Sequence, residues 1–176
     1  DKSLPYAAPV SFHQDLINQL NTFVLSDEDR EIAEFLVGSI DDTGYIRRSV
    51  QEIVDDLAFT QSIYTNEETV QRILTVVQEL EPSGVAARDL QECLLLQLKH
   101  KTPTDAVNLA QRIIEEQFDA FTKKHYDKLL QKFEIKQDAL KKAIEEIEKL
   151  NPKPGGSYDG NQKAIEHIVP DFTIRV

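Results

Sequence analysis

Four histidines, one cysteine and a pair of aspartates are the residues of this chain best able to do chemistry, and their spacing does not assemble them. His13, His100, His125 and His167 are far apart, and none belongs to a metal-ligand pattern such as HExxH. Cys93 lies in the apolar run Cys93-Leu94-Leu95-Leu96 with no histidine at local spacing to lower its pKa, so it reads as a buried structural thiol. Asp41-Asp42-Thr43-Gly44 is too short and too poor in ligands for a calcium loop; it reads as a helix–helix turn in which Gly44 takes positive φ. There is no GxGxxG, phosphate loop or nucleophile elbow. Carboxylates are abundant, but a pair is catalytic only where a pocket drives its two pKa values apart, and no spacing singles such a pair out. The expectation is a non-catalytic protein with no cofactor and no metal.

Two stretches raise the question of nucleic acid. Ser49 to Leu80 reads as short helix, turn, longer helix, the order of a helix-turn-helix. Its second helix would read bases through Asn66-Glu67-Glu68-Thr69-Val70-Gln71-Arg72, a start with two glutamates and one arginine. The connection Phe59 to Thr65 also exceeds the usual 3–4 residues. A packing helix pair is the better reading. Lys123-Lys124-His125-Tyr126, with Lys128, Lys132 and Phe133, interleaves basic and aromatic residues as a base-stacking surface does. Leu129, Leu130 and Phe133 fit a core face, however, and Asp119, Asp127 and Glu134 offset the charge, so a solvated helix is expected there.

Charge argues the same way. The chain carries 20 Lys and Arg against 31 Asp and Glu, and the excess is confined to residues 1–100, which hold 7 basic and 18 acidic residues. Such a half repels a phosphate backbone, because non-specific DNA affinity comes from Lys and Arg displacing counterions. Its acidity serves either solubility or a basic protein partner. The single cysteine excludes a disulfide framework and points to a reducing cytoplasm. No apolar run approaches the ~18 residues of a membrane span, and no signal peptide opens the chain. Methionine is absent, position 1 included, so a piece of a longer protein is expected.

The elements that must position these residues are helices. Stripes at spacings of three and four fall at Phe12, Leu16, Leu20 and Phe23; Ile32, Phe35, Leu36 and Ile40; Val50, Ile53, Val54 and Leu57; and Val70, Ile73, Leu74, Val77 and Leu80. Ala86 to Leu98 gives a fifth helix, apolar on most sides and therefore expected at the buried centre of a first bundle. Three more follow: Ala110 to Phe121, Leu129 to Phe133, and Leu140 to Leu150. Ser11 with Gln14, Ser26 with Asp29, Ser49 with Glu52 and Thr65 with Glu68 have capping-box spacing, and Thr102-Pro103-Thr104-Asp105 is a further start. Glu81-Pro82-Ser83-Gly84 ends the fourth helix. Asn151-Pro152-Lys153-Pro154-Gly155-Gly156 ends the helical pattern, and residues 165–176 alternate as an extended segment. The expected fold is all-α: a first, acidic helical bundle over 1–100, a second, smaller one over 101–150, and an extended tail over 151–176.

The most specific string runs from Glu81-Pro82-Ser83-Gly84-Val85-Ala86-Ala87-Arg88-Asp89-Leu90 to Leu98. It closely resembles the core-binding region of the sigma-54 (sigma-N) family of enhancer-dependent bacterial sigma factors. Three further strings resemble that region in the same order: Ser11 to Leu20 its first helix, Ile40-Asp41-Asp42-Thr43-Gly44-Tyr45-Ile46 its Asp-Asp-x-Gly-Tyr turn, and Leu150 to Gly155 with Val169-Pro170-Asp171 its closing segment. The likeness runs from about Leu4 to the end. It implies two helical bundles that dock sigma on core RNA polymerase for promoter opening driven by an ATP-dependent activator. The family's glutamine-rich N-terminal region and its promoter-reading C-terminal elements are not among the 176 residues. The resemblance thus implies a chain that binds polymerase but reads promoter DNA poorly alone. An acidic surface with no obvious exposed seam points to a monomer. The alternatives are an independent helix-turn-helix regulator on residues 49–80 and a generic helical adaptor.

Two candidate docking surfaces follow. The acidic face of the second helix, Asp27, Glu28, Glu31 and Glu34, suits a basic partner. The reversal carrying Pro82, Gly84, Val85, Arg88 and Asp89 can form a rigid surface at the bundle end, though internal packing is the stronger reading of it. Asp89 suits the positive end of a helix and Arg88 an acid on a neighbour.

Overall fold

The computed structural model describes residues 11–159. The first ten residues, the alternating segment 165–176 and most of the expected tail lie outside them. Nine α-helices are found among the described residues: α1 (Phe12–Leu20), α2 (Asp27–Gly38), α3 (Val50–Asp56), α4 (Glu67–Val77), α5 (Leu90–Lys99), α6 (Asp105–Glu116), α7 (Phe118–Thr122), α8 (Tyr126–Phe133) and α9 (Gln137–Glu148). A π-helical turn over Leu57–Gln61 continues α3, and a 3₁₀ turn occupies Pro154–Asp159. The only β-type pairings among these residues are isolated bridges, Ile40 with Ile46 and Tyr45 with Ala87. No helix there is long and apolar enough to cross a membrane.

The helices begin where side chains satisfy their first free amides. Ser11, Ser26 and Ser49 accept from the amides of Gln14, Asp29 and Glu52, and at Ser49 the Glu52 carboxylate also reaches back to complete the box. Elsewhere the cap shifts. Asn66, not Thr65, caps α4, and Thr104 caps α6, with Pro103 just before the cap rather than inside the helix. The helix expected over 86–98 starts only at Leu90. Ala86 has φ +69°, and Asp89 is extended and caps through the Glu92 amide. The stripe from Ala110 to Phe121 is broken at Gln117 (φ −135°, ψ 40°), which separates α6 from α7.

Two apolar cores result. Leu16, Leu20, Ile32, Leu36, Ile53, Ile73 and Leu74 belong to the first, with α4 packed against α2 and α3. Val107, Ile113, Ile114, Phe121, Leu129, Leu140 and Ile147 belong to the second, with α6 against α5 and α9. The placement of α5 corrects the sequence reading. Leu94 and Leu98 join the second core, whereas Cys93 and Leu96 pack with Tyr45 and Ala87 in a small cluster of their own. α5 is apolar on most sides because two packings claim it, not because the first bundle closes around it.

Candidate functional site

The four strings that stand out in the sequence meet at one place. The turn after α2 is organised by Asp41, whose Oδ1 accepts from the Thr43 amide (2.9 Å), the Thr43 hydroxyl (2.6 Å) and the amides of Gly44 (3.1 Å) and Tyr45 (3.0 Å). Its other oxygen lies 3.4 Å from Arg47 Nε. Burial opposes ionisation of Asp41, but the Thr43 hydroxyl, the two amides and the Arg47 charge together hold its carboxyl below the usual range. Gly44, at φ +101°, turns its backbone toward the segment after α9. A Cβ there would stand 2.6 Å from the Gly155 nitrogen, and a Cβ on Gly155 would stand 2.6 Å from the Asp42 carbonyl and the Gly44 nitrogen. Both glycines are required by this close approach, and the Gly155 amide uses it to donate to Thr43 O (2.9 Å).

The reversal after α4 is stitched to the same turn. The Ala86 amide donates to Gly44 O (2.8 Å) and the Ile46 amide to Ala87 O (3.0 Å). Gln19 of α1 holds the Glu81 peptide from both sides, at 2.7 and 2.8 Å. Buried Gln78 donates to Ala86 O, and the Ser83 hydroxyl meets His100 Nδ1 at 2.7 Å. Gly84 has φ +94°, and a Cβ on it would strike Gln97 Nε2 and Cys93 Sγ.

Three side chains reach from these pieces to the segment after α9. Tyr45, 4% exposed, donates its hydroxyl to Pro152 O at 2.7 Å, under the Arg47 guanidinium 4.4 Å from its ring centre. Burial, reinforced by Cys93, pushes the Tyr45 phenol far above its ordinary pKa, so it stays a donor. Gln97 pairs with the Asn151 peptide twice, giving to its carbonyl (2.6 Å) and accepting from its amide (2.8 Å). The Cys93 thiol points to Asn151 O at 3.7 Å, and burial raises its pKa. This thiol is a packed donor, not a nucleophile.

The residues expected to meet a partner fall into two groups. Asp27, Glu28, Glu31 and Glu34 are exposed on α2, and none makes a side-chain bond or ion pair among the described residues. Their neighbour Asp29 is different, paired with Arg72 of α4 at 3.2 Å. In the reversal, Gly84 and Val85 are buried, leaving Pro82, Arg88 and Asp89 with surface. Arg88 Nη2 donates to Arg48 O at 2.5 Å rather than to an acid, while its Nη1 is buried without a partner.

The other candidates are occupied by structure. His13 Nε2 bonds Ile40 O at 2.6 Å, and His167 lies outside the described residues. Among those residues no group of three His, Cys, Asp or Glu can hold a metal. The supposed reading helix, α4, shows Glu67 and Glu68 at its start, and its Arg72 is tied to Asp29. In the basic stretch Lys123 pairs with Asp119, and Phe133 is buried beneath Arg112.

Sequence reasoning named the strings but did not single out the residues within them that do the joining: Gln19, Asp41, Tyr45, Gln97, Asn151 and Gly155. Gln97 alone gave a signal, a glutamine inside an apolar run, which a packed protein keeps only when both ends of the amide are bonded.

Comparison with known proteins gives these strings a common owner. Residues 5–176 match the family model described as "Sigma-54 factor, core binding domain". The chain is similar to the RNA polymerase sigma-54 factors of Pseudomonas aeruginosa (36% identity over 166 residues), Azotobacter vinelandii (35% over 166) and Escherichia coli (32% over 161). These alignments cover 94%, 94% and 91% of the chain, and 33%, 32% and 33% of the relatives. The chain spans about a third of the length of the curated relatives it matches.

Proposed function

The chain belongs to the sigma-54 factor family, through its core-binding domain, and on that premise we propose that it docks a sigma subunit onto bacterial core RNA polymerase in the cytoplasm. It is a non-catalytic module, since nucleotide chemistry belongs to the polymerase. The observation that carries this reading is the convergence of the strings bearing the family likeness. Asp41-Asp42-Thr43-Gly44-Tyr45, the Pro82–Asp89 reversal, α5 and Asn151–Gly155 meet in one bonded junction. A junction of that kind presents two helical cores to a large partner in a fixed relation, which lowers the ordering cost of binding.

In this reading residues 1–100 supply the acidic contact, through Asp27, Glu28, Glu31 and Glu34, with Pro82, Arg88 and Asp89 at the rim. Residues 101–150, with α5 packed against them, form the second unit, and the segment from 151 leads toward the promoter-reading part of the longer protein. Promoter DNA and the ATP-driven activator are partners of that longer protein. The acidic contact steers association with a basic polymerase surface. The test is calorimetric titration of the chain into core RNA polymerase, with duplex promoter DNA as a parallel titrant. Submicromolar binding to polymerase with none to DNA is the expected result. A folded chain that ignores polymerase overturns the proposal, and DNA binding in its place promotes a helix-turn-helix regulator.

A further inference from the structure

Phe59 and Tyr64 are out of place for a helical domain of this size: they are 88% and 78% exposed. Phe59 lies in the π-helical turn and Tyr64 in the connection from it to α4, and between them Gln61 and Ile63 line one wall of a groove of about 520 Å³. Glu31, Glu34, Phe35 and Gly38 of α2, followed by Ser39, form the other wall. Positions 31, 34, 35 and 38 make one stripe of α2, beside the stripe of Ile32, Ala33, Leu36 and Val37 that enters the core. α2 is therefore two-sided, with one stripe covered and the other facing an open groove.

The groove is preformed. Ser62, at φ +58°, ends the π-helical turn, and the Ile63 amide is held by Leu57 O at 3.0 Å. The Ser39 hydroxyl is turned back to Phe35 O. Phe35 and Ile63 rest on the first core. Glu31 and Glu34 have no partner among the described residues. Gly38 leaves the groove end empty, with nothing within 4 Å of where a Cβ would stand.

We propose that this groove takes a short basic segment of core RNA polymerase. One aliphatic or aromatic side chain of that segment seats on Phe35 and Ile63, within reach of the exposed rings of Phe59 and Tyr64 on the same stretch of chain, and a Lys or Arg beside it pairs with Glu31 and Glu34. The charge selects the occupant. An acidic or neutral segment would cover two carboxylates without a cation, a burial proteins avoid. A basic segment with no anchor would leave the apolar floor of Phe35 and Ile63 uncovered. The proposal rests on the polymerase-docking reading and specifies where and how that docking occurs.

The test compares binding of core RNA polymerase by the 176-residue chain and three variants, each checked by thermal melting. Gly38→Trp places an indole in the groove from a position where a Cβ meets nothing within 4 Å, Glu31→Lys with Glu34→Lys reverses its charge, and Phe59→Ser with Tyr64→Ser removes the two exposed aromatics beside it. Each is expected to weaken binding about tenfold or more, as loss of a central contact does, and the charge pair is also expected to flatten the salt dependence. If Gly38→Trp should not fold, the two surface pairs decide. Wild-type binding that all the folded variants retain overturns the groove and leaves the docking reading standing. Loss in the charge pair alone also overturns the groove, in favour of long-range steering. Absence of wild-type binding overturns both readings.

Discussion

At the junction, Asp41 bonds the backbone of its own turn, Tyr45 and Gln97 bond backbone of the segment after α9, and two glycines sit where no side chain fits. Along the α2 groove, Glu31 and Glu34 have no partner among the described residues, Phe59 and Tyr64 stand exposed nearby, and a Cβ on Gly38 would meet nothing within 4 Å. Both regions touch the first core, so packing alone does not separate them. The difference is in polar satisfaction. Where buried amides and carbonyls must be matched one by one, few residue types serve at each position, and a recognisable string results. Where the partner lies outside the chain, the fold constrains composition but not register. The strings that announce the family are thus mostly internal joinery, and the proposed docking surface lies beside them.

The sharpest way to break this contrast is at Gly44. Gly44→Ala forces a Cβ to within 2.6 Å of the Gly155 nitrogen at a φ of +101°. It is expected to lower unfolding free energy by about 3 kcal/mol or more, combining left-handed strain with a clash against backbone. Gly38→Ala, where space is open, is the control and should leave stability unchanged or slightly raised. Denaturant midpoints for the two variants check this; similar midpoints would show that the junction yields.

Gln97→Ala comes next. It strands the amide and carbonyl of Asn151, which Gln97 holds at 2.8 and 2.6 Å. A loss of about 2–3 kcal/mol is expected from the unpaired groups. Amide hydrogen exchange should rise first at Asn151 and Gly155. Faster exchange spread evenly over both cores would instead mean that Gln97 supports the fold generally.

These effects sit where sequence reading was weakest. The helix stripes and the Ser11, Ser26 and Ser49 caps were legible because they are relations of three or four residues along one chain. The Asn66 cap was missed by one position, because Thr65 beside it can do the same work. The break at Gln117 has no proline or glycine to announce it. α5 was misplaced because an all-round apolar helix does not say which core will claim it. The contact of Tyr45 with Pro152 joins residues 107 apart, and nothing local to either predicts it. Phe59 and Tyr64 fall in a connection outside every helical stripe, and nothing local to them says that the fold leaves both rings exposed.

Titration gives a milder probe of the junction. Asp41's carboxyl is held below its ordinary pKa in the folded chain. A group depressed in this way stabilises the fold at pH above its unfolded value, and that contribution disappears as pH falls through the folded one. Melting temperature measured from neutral pH into the acid range should therefore fall less steeply for Asp41→Asn than for the wild type. At neutral pH the variant should be the less stable, because a neutral amide oxygen accepts more weakly from the Thr43, Gly44 and Tyr45 amides and the Arg47 pairing is lost. Parallel curves for the two proteins would remove Asp41 from the acid response and leave it to Glu146, which Lys101 holds down in the same sense.

The smallest effect on stability should accompany the largest effect on binding. Reversing Glu28, Glu31 and Glu34 together removes no bond that the described structure makes. Only Glu28, in the first turn of α2, interacts favourably with the helix end, so the combined cost should stay within about 1 kcal/mol. Polymerase association should nonetheless slow and lose its dependence on salt, because a repulsive face replaces an attractive one. Gly44→Ala should do the reverse: a large drop in melting temperature, with binding kept in whatever fraction remains folded. A charge-reversed chain that melts normally and binds normally would show that the acidic face serves solubility alone, and the docking surface would then have to be sought at Pro82, Arg88 and Asp89 on the junction itself.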